Sequence, residues 1–437
     1  MPTPDSRTSE APPAETKPAH KRHNPRPQRL HTWFNLIPVA EQRRRGDGEV
    51  LFLDTFVTVE RGGSDEAYTV RFEGQHEMVV VVHFGLVFVW YGEDLQRPDR
   101  PFPVLFEDPY PGEYVSSTPT IFEDTHVMDF VENGSDNLHF KAVHLWDYSK
   151  IYDHEITAET ITLKQDTNFR YGKCSTKRSI RLLSNVLPRL TLTHDYVYHG
   201  PGLAVVGAQG KGTPDMHALV TLTPEGAYRT RVYVTMALSP DTFPPWAERA
   251  VGRISSRPLA DRLAGVMANF IKNEFDIDAI IWRNRKHLPQ PGLLPSEKAL
   301  ADVMRWGQTF YPKDFRTPEV PAPAPPSDRW EDLDALSNIA GGEVHRYSVG
   351  DDELIATVGE GGRLRVFDAF CPHQGAHLGH GGRLERDCLR CPFHGFYFDA
   401  DGRCLGPNAD NRGSFIDALQ LTPIEHRVSE GRVQVRR

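Results

Sequence analysis

The sequence lacks several features that would assign it to common classes of protein. A transmembrane helix needs about 20 apolar residues, and the longest apolar run, Met78 to Tyr91, is shorter and breaks at His83, Phe84 and Gly85. The net charge of −9 argues against a general nucleic-acid binder, which would show a basic face. There is also no Gly-x-Gly-x-x-Gly sequence after a strand. The chain therefore shows no sign of its own nicotinamide or flavin site.

Cysteine is scarce, with 5 residues in 437. Two of them stand in the Cys-and-His pairs described below, and the others, Cys174, Cys388 and Cys404, show no pairing framework. Because disulfides persist in oxidising compartments, this pattern favours a reducing cytoplasm. Cys388 is interpreted as a buried strand residue.

Two mixed pairs, Cys371-x-His373 and Cys391-x-x-His394, supply two thiolates and two imidazoles within one short stretch. A Rieske [2Fe–2S] centre holds one iron with two thiolates and the other with two neutral imidazoles. Zinc is the competing ligand for a Cys2His2 set, but zinc fingers usually keep both cysteines in one pair. The spacing therefore predicts a Rieske cluster.

A second constellation contains Asp136, His139 and His144. Two histidines with a distant carboxylate are what a mononuclear iron(II) site needs. Residues five apart on a regular α-helix diverge by about 140°, so the two histidines can share a metal only if the helix widens or ends between them. Asp136 fits equally an exposed helix-start residue or a carboxylate that orients a histidine.

A long helix predicted from Pro258 to Arg285 offers the third ligand. Its apolar stripe consists of Met267, Ile271, Phe275 and Trp282. Asp278 lies about 20° from the line of this stripe, whereas Asp276 points away. A carboxylate among apolar residues is costly unless paired or metal-bound, so Asp278 is the better candidate and Glu274 the rival.

The remaining pattern predicts an α+β organisation. We expect a disordered tail at 1–28, a catalytic domain of antiparallel sheet and helices at 29–316, a Pro-rich linker at 317–327 and a small all-β cluster domain at 328–437. Further predictions are strands on both sides of the break at His83 to Gly85, a hairpin from Val220 to Leu238 with its turn at Pro224 to Gly226, and a helix from Glu297 to Tyr311.

Together the two constellations resemble a known family. The sequences CPHQGAHLG, CPFHG and ENGSDNLHFKAVH are similar to those of the Rieske non-haem iron oxygenases, and most similar to Neverland-type sterol 7-desaturases and, more distantly, 3-ketosteroid 9α-hydroxylases. The segments FDIDAIIWRNRK and MRWGQTFYP resemble the end of that catalytic domain, where the carboxylate ligand lies four residues before a Trp. Counting back from Trp282 gives Asp278.

The resemblance implies a helix-grip (START-like) catalytic domain that binds a hydrophobic polycyclic, sterol- or steroid-like substrate. It implies a [2Fe–2S] cluster on Cys371, His373, Cys391 and His394, and mononuclear Fe(II) on His139, His144 and Asp278, with Asp136 bridging the two centres. Electrons would come from NAD(P)H through a separate reductase, with or without a ferredoxin, and O2 would hydroxylate or desaturate the substrate. A homotrimer is the implied assembly.

This sequence departs from the family in three places. The Rieske domain normally comes first, whereas here it follows the catalytic domain. Phe396 replaces a Trp, and Leu405-Gly406-Pro407 replaces Ile-Pro-Tyr. Two alternatives stay open: an oxygenase that acts on a non-steroidal aromatic or alkaloid, and a non-enzymatic Rieske carrier fused to a lipid-binding domain.

Side chains near the ligands predict the cluster's potential. Respiratory Rieske proteins have a disulfide, a Ser and a Tyr at positions that here hold Ala376, Phe393, Phe396 and Phe398. Hydrogen bonds to the sulfurs stabilise the reduced cluster, so their loss lowers the potential. We expect a value near the low end of the Rieske range, about −150 mV.

Overall fold

The computed structural model describes most of the chain. The described residues are 26–63, 67–103, 114–170, 189–210, 216–238, 249, 259–315, 329–339, 341–407, 409–410 and 415–436. Cys174, most of the predicted tail and all of the predicted linker lie outside them. Among the described helices, none combines the length and the hydropathy that a membrane span requires.

An antiparallel sheet of eight strands dominates the larger part of the molecule. Its strands are β8 (Val115–Ser116), β9 (Thr120–Glu123), β10 (Tyr148–Ile156), β11 (Thr160–Phe169), β12 (Leu190–His199), β13 (Leu203–Gly210), β14 (Met216–Gly226) and β15 (Arg229–Leu238). The order is β10-β11-β12-β13-β14-β15-β8, and β9 also pairs with β15. In β11, buried and less buried residues alternate. This period of two places one face of the sheet on the core.

Two smaller antiparallel sheets precede it. One has the order β1-β7-β6 and the other β2-β3-β4-β5. The strands are β1 (Thr32–Pro38), β2 (Gly48–Phe52), β3 (Thr55–Arg61), β4 (Tyr68–Phe72), β5 (His76–Glu77), β6 (Val80–His83) and β7 (Leu86–Tyr91). Phe84 and Gly85, both at positive φ, form the two-residue turn between β6 and β7, which confirms the predicted break.

The predicted hairpin exists, but its turn was placed too early. β14 continues through Pro224 to Gly226, with a register shift there, and the chain turns at Ala227 and Tyr228. Gly226 approaches Asp54 so closely that a Cβ would lie 2.3 Å from its Oδ1. The prediction failed because Pro and Gly in this hairpin serve a strand irregularity and a close approach, rather than the turn.

Within the described residues, the helices are α1 (Val39–Arg45), α2 (Val127–Ser135), α3 (Asn137–Ala142), α4 (Leu259–Trp282) and α5 (Lys298–Gln308). The predicted long helix is α4, which packs against β15 and β8. Its buried alanines, Ala260, Ala264 and Ala268, recur every four residues and let the helix lie close to its neighbours. The predicted second helix is shorter than expected at both ends: Glu297 belongs to a 3-10 turn (Pro295–Glu297) before α5, and α5 ends at Gln308 rather than Tyr311.

The C-terminal region is built from three small antiparallel sheets. Their strands are β16 (Glu331–Ala335), β17 (His345–Val349), β18 (Asp352–Val358), β19 (Leu364–Asp368), β20 (Arg383–Glu385), β21 (Cys388–Arg390), β22 (Tyr397–Phe398), β23 (Cys404–Gly406), β24 (Glu425–Ser429) and β25 (Arg432–Arg436). Their orders are β16-β25-β24, β17-β18-β19 and β20-β21-β22-β23. Cys388 is buried in β21, as predicted. The part of the chain that the structure describes is therefore α+β.

Candidate metal centres and their junction

Two loops of the same construction carry the Cys-and-His pairs. In the first, the Cys371 N–H donates to the carbonyl of Ala376 over 2.9 Å, and in the second, the Cys391 N–H donates to the carbonyl of Phe396 over 2.8 Å. Each loop turns at a glycine of positive φ, Gly375 at 73° and Gly395 at 68°. An L-residue rarely adopts this conformation, which explains a glycine at the same place in both loops.

The two loops bring the four predicted ligands together. The Nδ1 atoms of His373 and His394 lie 3.0 Å apart, and their rings meet edge to face. The thiols of Cys371 and Cys391 are in hydrogen-bond contact. All four residues are buried. Two thiols and two imidazole Nδ1 atoms match the donor set of a Rieske cluster, so the residues fit that group.

The surroundings of these loops are apolar. Ala376, Phe393, Phe396 and Phe398 are each at most 1% exposed, and none carries a hydroxyl group or a thiol. Burial by itself would raise the pKa of the Cys391 thiol. The hydrogen bond from Cys371 and the attraction of His394 outweigh it and lower this pKa to about 7, whereas the same hydrogen bond and burial raise the pKa of Cys371 well above its ordinary value. A readily formed thiolate suits a metal ligand.

The predicted histidines of the second site meet because a helix ends between them. His139 lies inside α3, whereas His144 lies beyond its C-cap, Val143. Their ring centroids are 5.2 Å apart. Of the two solutions expected from the spacing, the described structure uses a helix end and contains no widened turn here.

Asp278 completes a group of three possible metal ligands. One donor atom each from His139, His144 and Asp278 lies within 4.8 Å of the other two, and all three residues are buried. His144 Nε2 is 3.0 Å from Asp278 Oδ1. His139 Nε2 is buried without a hydrogen-bond partner, and burial lowers the pKa of His139 to about 4. A neutral imidazole with a free nitrogen suits a metal, so the residues fit a 2-His-1-carboxylate iron.

Two further side chains hold this group in place. The amide of Asn133 donates to Asp278 Oδ2 over 3.1 Å. Glu274, the rival in the sequence, lies instead on the far side of the ring, with Oε2 3.3 Å from His144 Nδ1. Asp276 is exposed. Sequence reasoning missed Asn133, because nothing local shows that α2 faces α4.

A buried quartet of charges ties α2 to the end of α4. The carboxylates of Asp129 and Glu132 receive hydrogen bonds from Arg285 at 2.5 and 2.7 Å and from Arg26 at 3.0 and 2.8 Å. Burial would raise the pKa of Glu132, but the two guanidinium groups lower it to about 2. Arg26 and Gln28 are both 2% exposed. The anchored chain therefore begins at least two residues before the predicted end of the tail.

Asp136 lies between the two groups of possible ligands. It caps α2 and begins α3, where its Oδ1 accepts the N–H of Leu138 over 3.1 Å. Its Oδ2 is 2.6 Å from His394 Nε2, and its backbone carbonyl is 2.6 Å from His139 Nδ1. Burial raises its pKa, yet the attraction of His394 and the hydrogen bond with it lower the pKa below its ordinary value. Asp136 therefore begins a helix and contacts a histidine, but it is buried at 1% exposure, so the alternative of an exposed helix-start residue is wrong.

A second carboxylate at this junction was not foreseen. Glu297 Oε2 is 2.8 Å from His373 Nε2, and Gln374 Nε2 donates to Asp136 Oδ2 over 3.0 Å. Glu297 is 6% exposed. The sequence placed it at a helix start without showing that this start is buried. Each of the two cluster histidines thus contacts a carboxylate of the larger domain.

A cavity of about 160 Å³ opens on the second group of ligands. Its walls are mostly apolar and include His144, Glu274 and Asp278 at one place. Phe140, Trp146 and Phe169 form a stack, with both neighbouring centroid pairs 4.4 Å apart. His194 and Tyr196 add polar atoms from β12. A hydrophobic molecule with a few polar groups would fit such a lining.

Comparison with known families identifies two segments. The family described as 3-ketosteroid 9alpha-hydroxylase C-terminal domain matches residues 89–311, just over half of the chain. The family described as Rieske [2Fe-2S] domain matches residues 329–420. A domain described as C-terminal thus comes first here. No curated protein gives a significant match.

Comparison with solved structures gives matches of low identity, three of which are as follows. Dicamba monooxygenase with non-heme iron and dicamba shares 14% identity over 65% of this chain and 97% of its own, with a TM-score of 0.40. Pseudomonas putida CBB5 NdmA with caffeine shares 12% over 67% and 92%, with a TM-score of 0.45. The ferredoxin of carbazole 1,9a-dioxygenase from Nocardioides aromaticivorans IC177 shares 18% over 24% and 95%, with a TM-score of 0.21.

Proposed function

We propose that this chain hydroxylates or desaturates a sterol- or steroid-like substrate. It belongs to the Rieske non-haem iron oxygenases with a 3-ketosteroid 9alpha-hydroxylase C-terminal domain. Its cofactors are a Rieske [2Fe–2S] cluster and a mononuclear iron, and its electrons come from a separate reductase or ferredoxin. Hydroxylation converts a C–H bond, O2, two electrons and two protons into an alcohol and water. Desaturation consumes the same reagents and gives a C=C bond and two waters.

The proposed roles follow the donor atoms. Cys371, Cys391, His373 and His394 would hold the cluster. His139, His144 and Asp278 would hold the iron, whose open positions supply oxygen activation next to the substrate. Their clustering around a free His139 Nε2 is the observation that supports this proposal best.

The remaining residues of the site would orient these ligands. Asn133 fixes the carboxylate of Asp278 by donating to one of its oxygens. Glu274 accepts from the outer nitrogen of His144, which directs Nε2 towards Asp278. Such partners fix the tautomer and orientation of a ligating histidine. The apolar walls of the cavity would exclude water from the reacting atoms.

The apolar cavity and the family match support a polycyclic hydrophobic substrate. One observation favours a second candidate: Phe140, Trp146 and Phe169 offer a stack of rings beside the ligands, which suits a planar aromatic or alkaloid. The assembly is a separate question. The homotrimer implied by the resemblance is part of the proposal, and the mass of the protein in solution tests it.

The test uses full-length protein with its iron reconstituted, a surrogate reductase, NADH and O2. Sterols, ketosteroids and planar aromatics would be supplied, and products identified by mass spectrometry. A steroid product heavier by one oxygen atom indicates hydroxylation, and one lighter by two hydrogen atoms indicates desaturation. Turnover of aromatics alone would favour the second candidate. No product from any substrate, with about three irons per chain, would contradict both.

A further inference from the structure

We propose that the cluster and the iron of the same chain form one electron-transfer pair, so that the path from His394 through Asp136 to His139 lies within a single chain. This inference rests on the proposed function. It differs from the expectation drawn from the resemblance, in which the cluster serves a neighbouring subunit. The reversed order of the two domains is what makes the question specific to this chain.

The path has only short steps. His394 Nε2 is 2.6 Å from Asp136 Oδ2, and the Asp136 carbonyl is 2.6 Å from His139 Nδ1. In both histidines the remaining ring nitrogen is left for a metal: Nδ1 of His394 faces Nδ1 of His373, and Nε2 of His139 has no hydrogen-bond partner. One residue therefore separates a cluster ligand from an iron ligand, without any contribution from a second chain.

A second contact holds the cluster domain in this position. Glu297 lies 2.8 Å from His373 Nε2, and Gln374 reaches Asp136 over 3.0 Å. Both carboxylates are almost completely buried, Asp136 at 1% and Glu297 at 6% exposure. A buried carboxylate without a partner is costly, and here the cluster domain of the same chain supplies the partners of both carboxylates.

Backbone hydrogen bonds also hold the cluster domain against the larger domain. The N–H of Lys286 donates to the carbonyl of Gly375 over 2.8 Å, and that of Gly292 to the carbonyl of Pro372 over 3.2 Å. A Cβ on Gly375 would lie 1.8 Å from the carbonyl oxygen of Lys286.

Apolar residues of the larger domain share one core with the cluster domain. They are Leu138, Val143, Ile281 and Leu294. The contact is thus built from hydrogen bonds, charges and apolar packing at once, as in a permanent interface.

The electron balance is simple. One electron leaves the reduced cluster and arrives at the iron site, so the first is oxidised and the second reduced by one equivalent. His394, Asp136 and His139 keep their heavy-atom bonds. The separate reductase or ferredoxin restores the electron to the cluster.

The test uses two variants that each lack one centre. His373→Ala removes a cluster ligand, and Asp278→Ala removes an iron ligand. The two variant chains would be co-expressed with different affinity tags, and complexes that contain both would be purified by the two tags in turn. If the variants do not associate, they would be purified separately and mixed at high concentration. The measurement is magnetic coupling between the reduced cluster and nitric-oxide-bound iron by electron paramagnetic resonance, which needs no substrate.

We expect strong coupling in the wild type, none in either variant, and none in the mixed sample. Coupling restored in the mixed sample, where the two centres lie only in different chains, would overturn the proposal. So would a wild type that holds both centres without coupling. Failure of the proposed function is distinct, because it is a lack of product from a wild type whose coupling is intact.

A second variant avoids any change to the ligands. Gly292 lies on the larger domain. In Gly292→Val the added Cβ would lie 2.3 Å from Leu419 and 3.1 Å from the Pro372 carbonyl oxygen, both in the cluster domain. We expect the cluster's own spectrum to be unchanged but its coupling to the iron to weaken by more than half. Gly48→Val is the matched control, because no atom lies within 4 Å of that Cβ. Unchanged coupling in Gly292→Val would contradict the proposal.

Discussion

The two candidate metal centres are built in opposite ways. The cluster ligands lie between residues 371 and 394, on two loops that close through their own backbone hydrogen bonds. The iron ligands lie at 139, 144 and 278, on a short helix, the segment after it and a distant helix. A local site depends mainly on its turns, whereas a dispersed site depends on the packing of the elements that carry it.

This difference predicts different sensitivities. The geometry of the cluster site should survive damage elsewhere, because glycines at positive φ and short loops fix it. The iron site should depend on the contacts between α2 and α4, including Asn133 and the charge quartet of Arg26, Asp129, Glu132 and Arg285. The predictions below test this contrast, from the largest expected effect on turnover to the smallest.

Asp278→Ala should abolish turnover, by about 10³-fold or more, because it removes the only carboxylate of the proposed iron site. We expect iron content to fall from about three to about two per chain, while the cluster spectrum stays unchanged. Metal analysis and electron paramagnetic resonance measure both. Asp276→Ala is the matched control on the exposed face of the same helix. Retention of the third iron in Asp278→Ala would show that another residue is the ligand.

Asp136→Asn should keep both metals but lower turnover by about 10- to 100-fold, because it removes the charge that contacts His394. The amide can still cap α3, so folding should be preserved. The measurement is the rate at which the reduced cluster is oxidised in a single turnover. A normal rate would mean that Asp136 is structural only.

Glu297→Gln should lower turnover by about tenfold. A negative charge beside His373 favours the oxidised cluster, so its removal should raise the reduction potential. A redox titration compares it with the wild type, for which we expect about −150 mV. Glu353→Gln, next to His377 on the same domain, is the control. An unchanged reduction potential in Glu297→Gln would contradict the contact between Glu297 and His373. A strongly positive potential in the wild type would contradict the prediction that the apolar environment keeps the potential low.

Glu274→Gln should have a small effect, about two- to fivefold on kcat, because it weakens one part-exposed hydrogen bond to His144. Iron should remain bound. A loss of iron as large as in Asp278→Ala would make Glu274 a ligand and reverse the order of the two candidates.

Arg26→Ala should leave the turnover of the folded enzyme almost unchanged. It should lower the free energy of unfolding by about 3–5 kcal/mol, because it removes one guanidinium partner from the buried carboxylates of Asp129 and Glu132. The pKa of Glu132 is lowered to about 2. Its contribution is therefore complete above the unfolded value of about 4.3 and is lost as the pH falls towards 2. Thermal unfolding at pH 7 and pH 3 should show the variant and the wild type converging. An equal difference at both pH values would contradict the role of this carboxylate.

Several features of the fold and the site were readable because their cause is local. The α+β class, the break between β6 and β7, and α4 follow from periodicity and turn residues. The resemblance to Rieske oxygenases and to 3-ketosteroid 9α-hydroxylases, which the family matches confirm, rests on motifs that are short in sequence. The turn after β14 was misplaced because Pro224 and Gly226 also suit a strand irregularity.

By itself, the sequence determined the chemistry of the donors: two mixed pairs of Cys and His, two histidines five residues apart, and a carboxylate on an apolar stripe. These depend on residue type and spacing, which the chain carries locally. Tertiary structure alone decided that α3 ends before His144, that Glu274 lies behind the ring and Asp278 in front of it, and that Glu297 reaches His373. The three side-chain contacts join residues 76 to 134 positions apart, and no local pattern specifies which helix faces which loop.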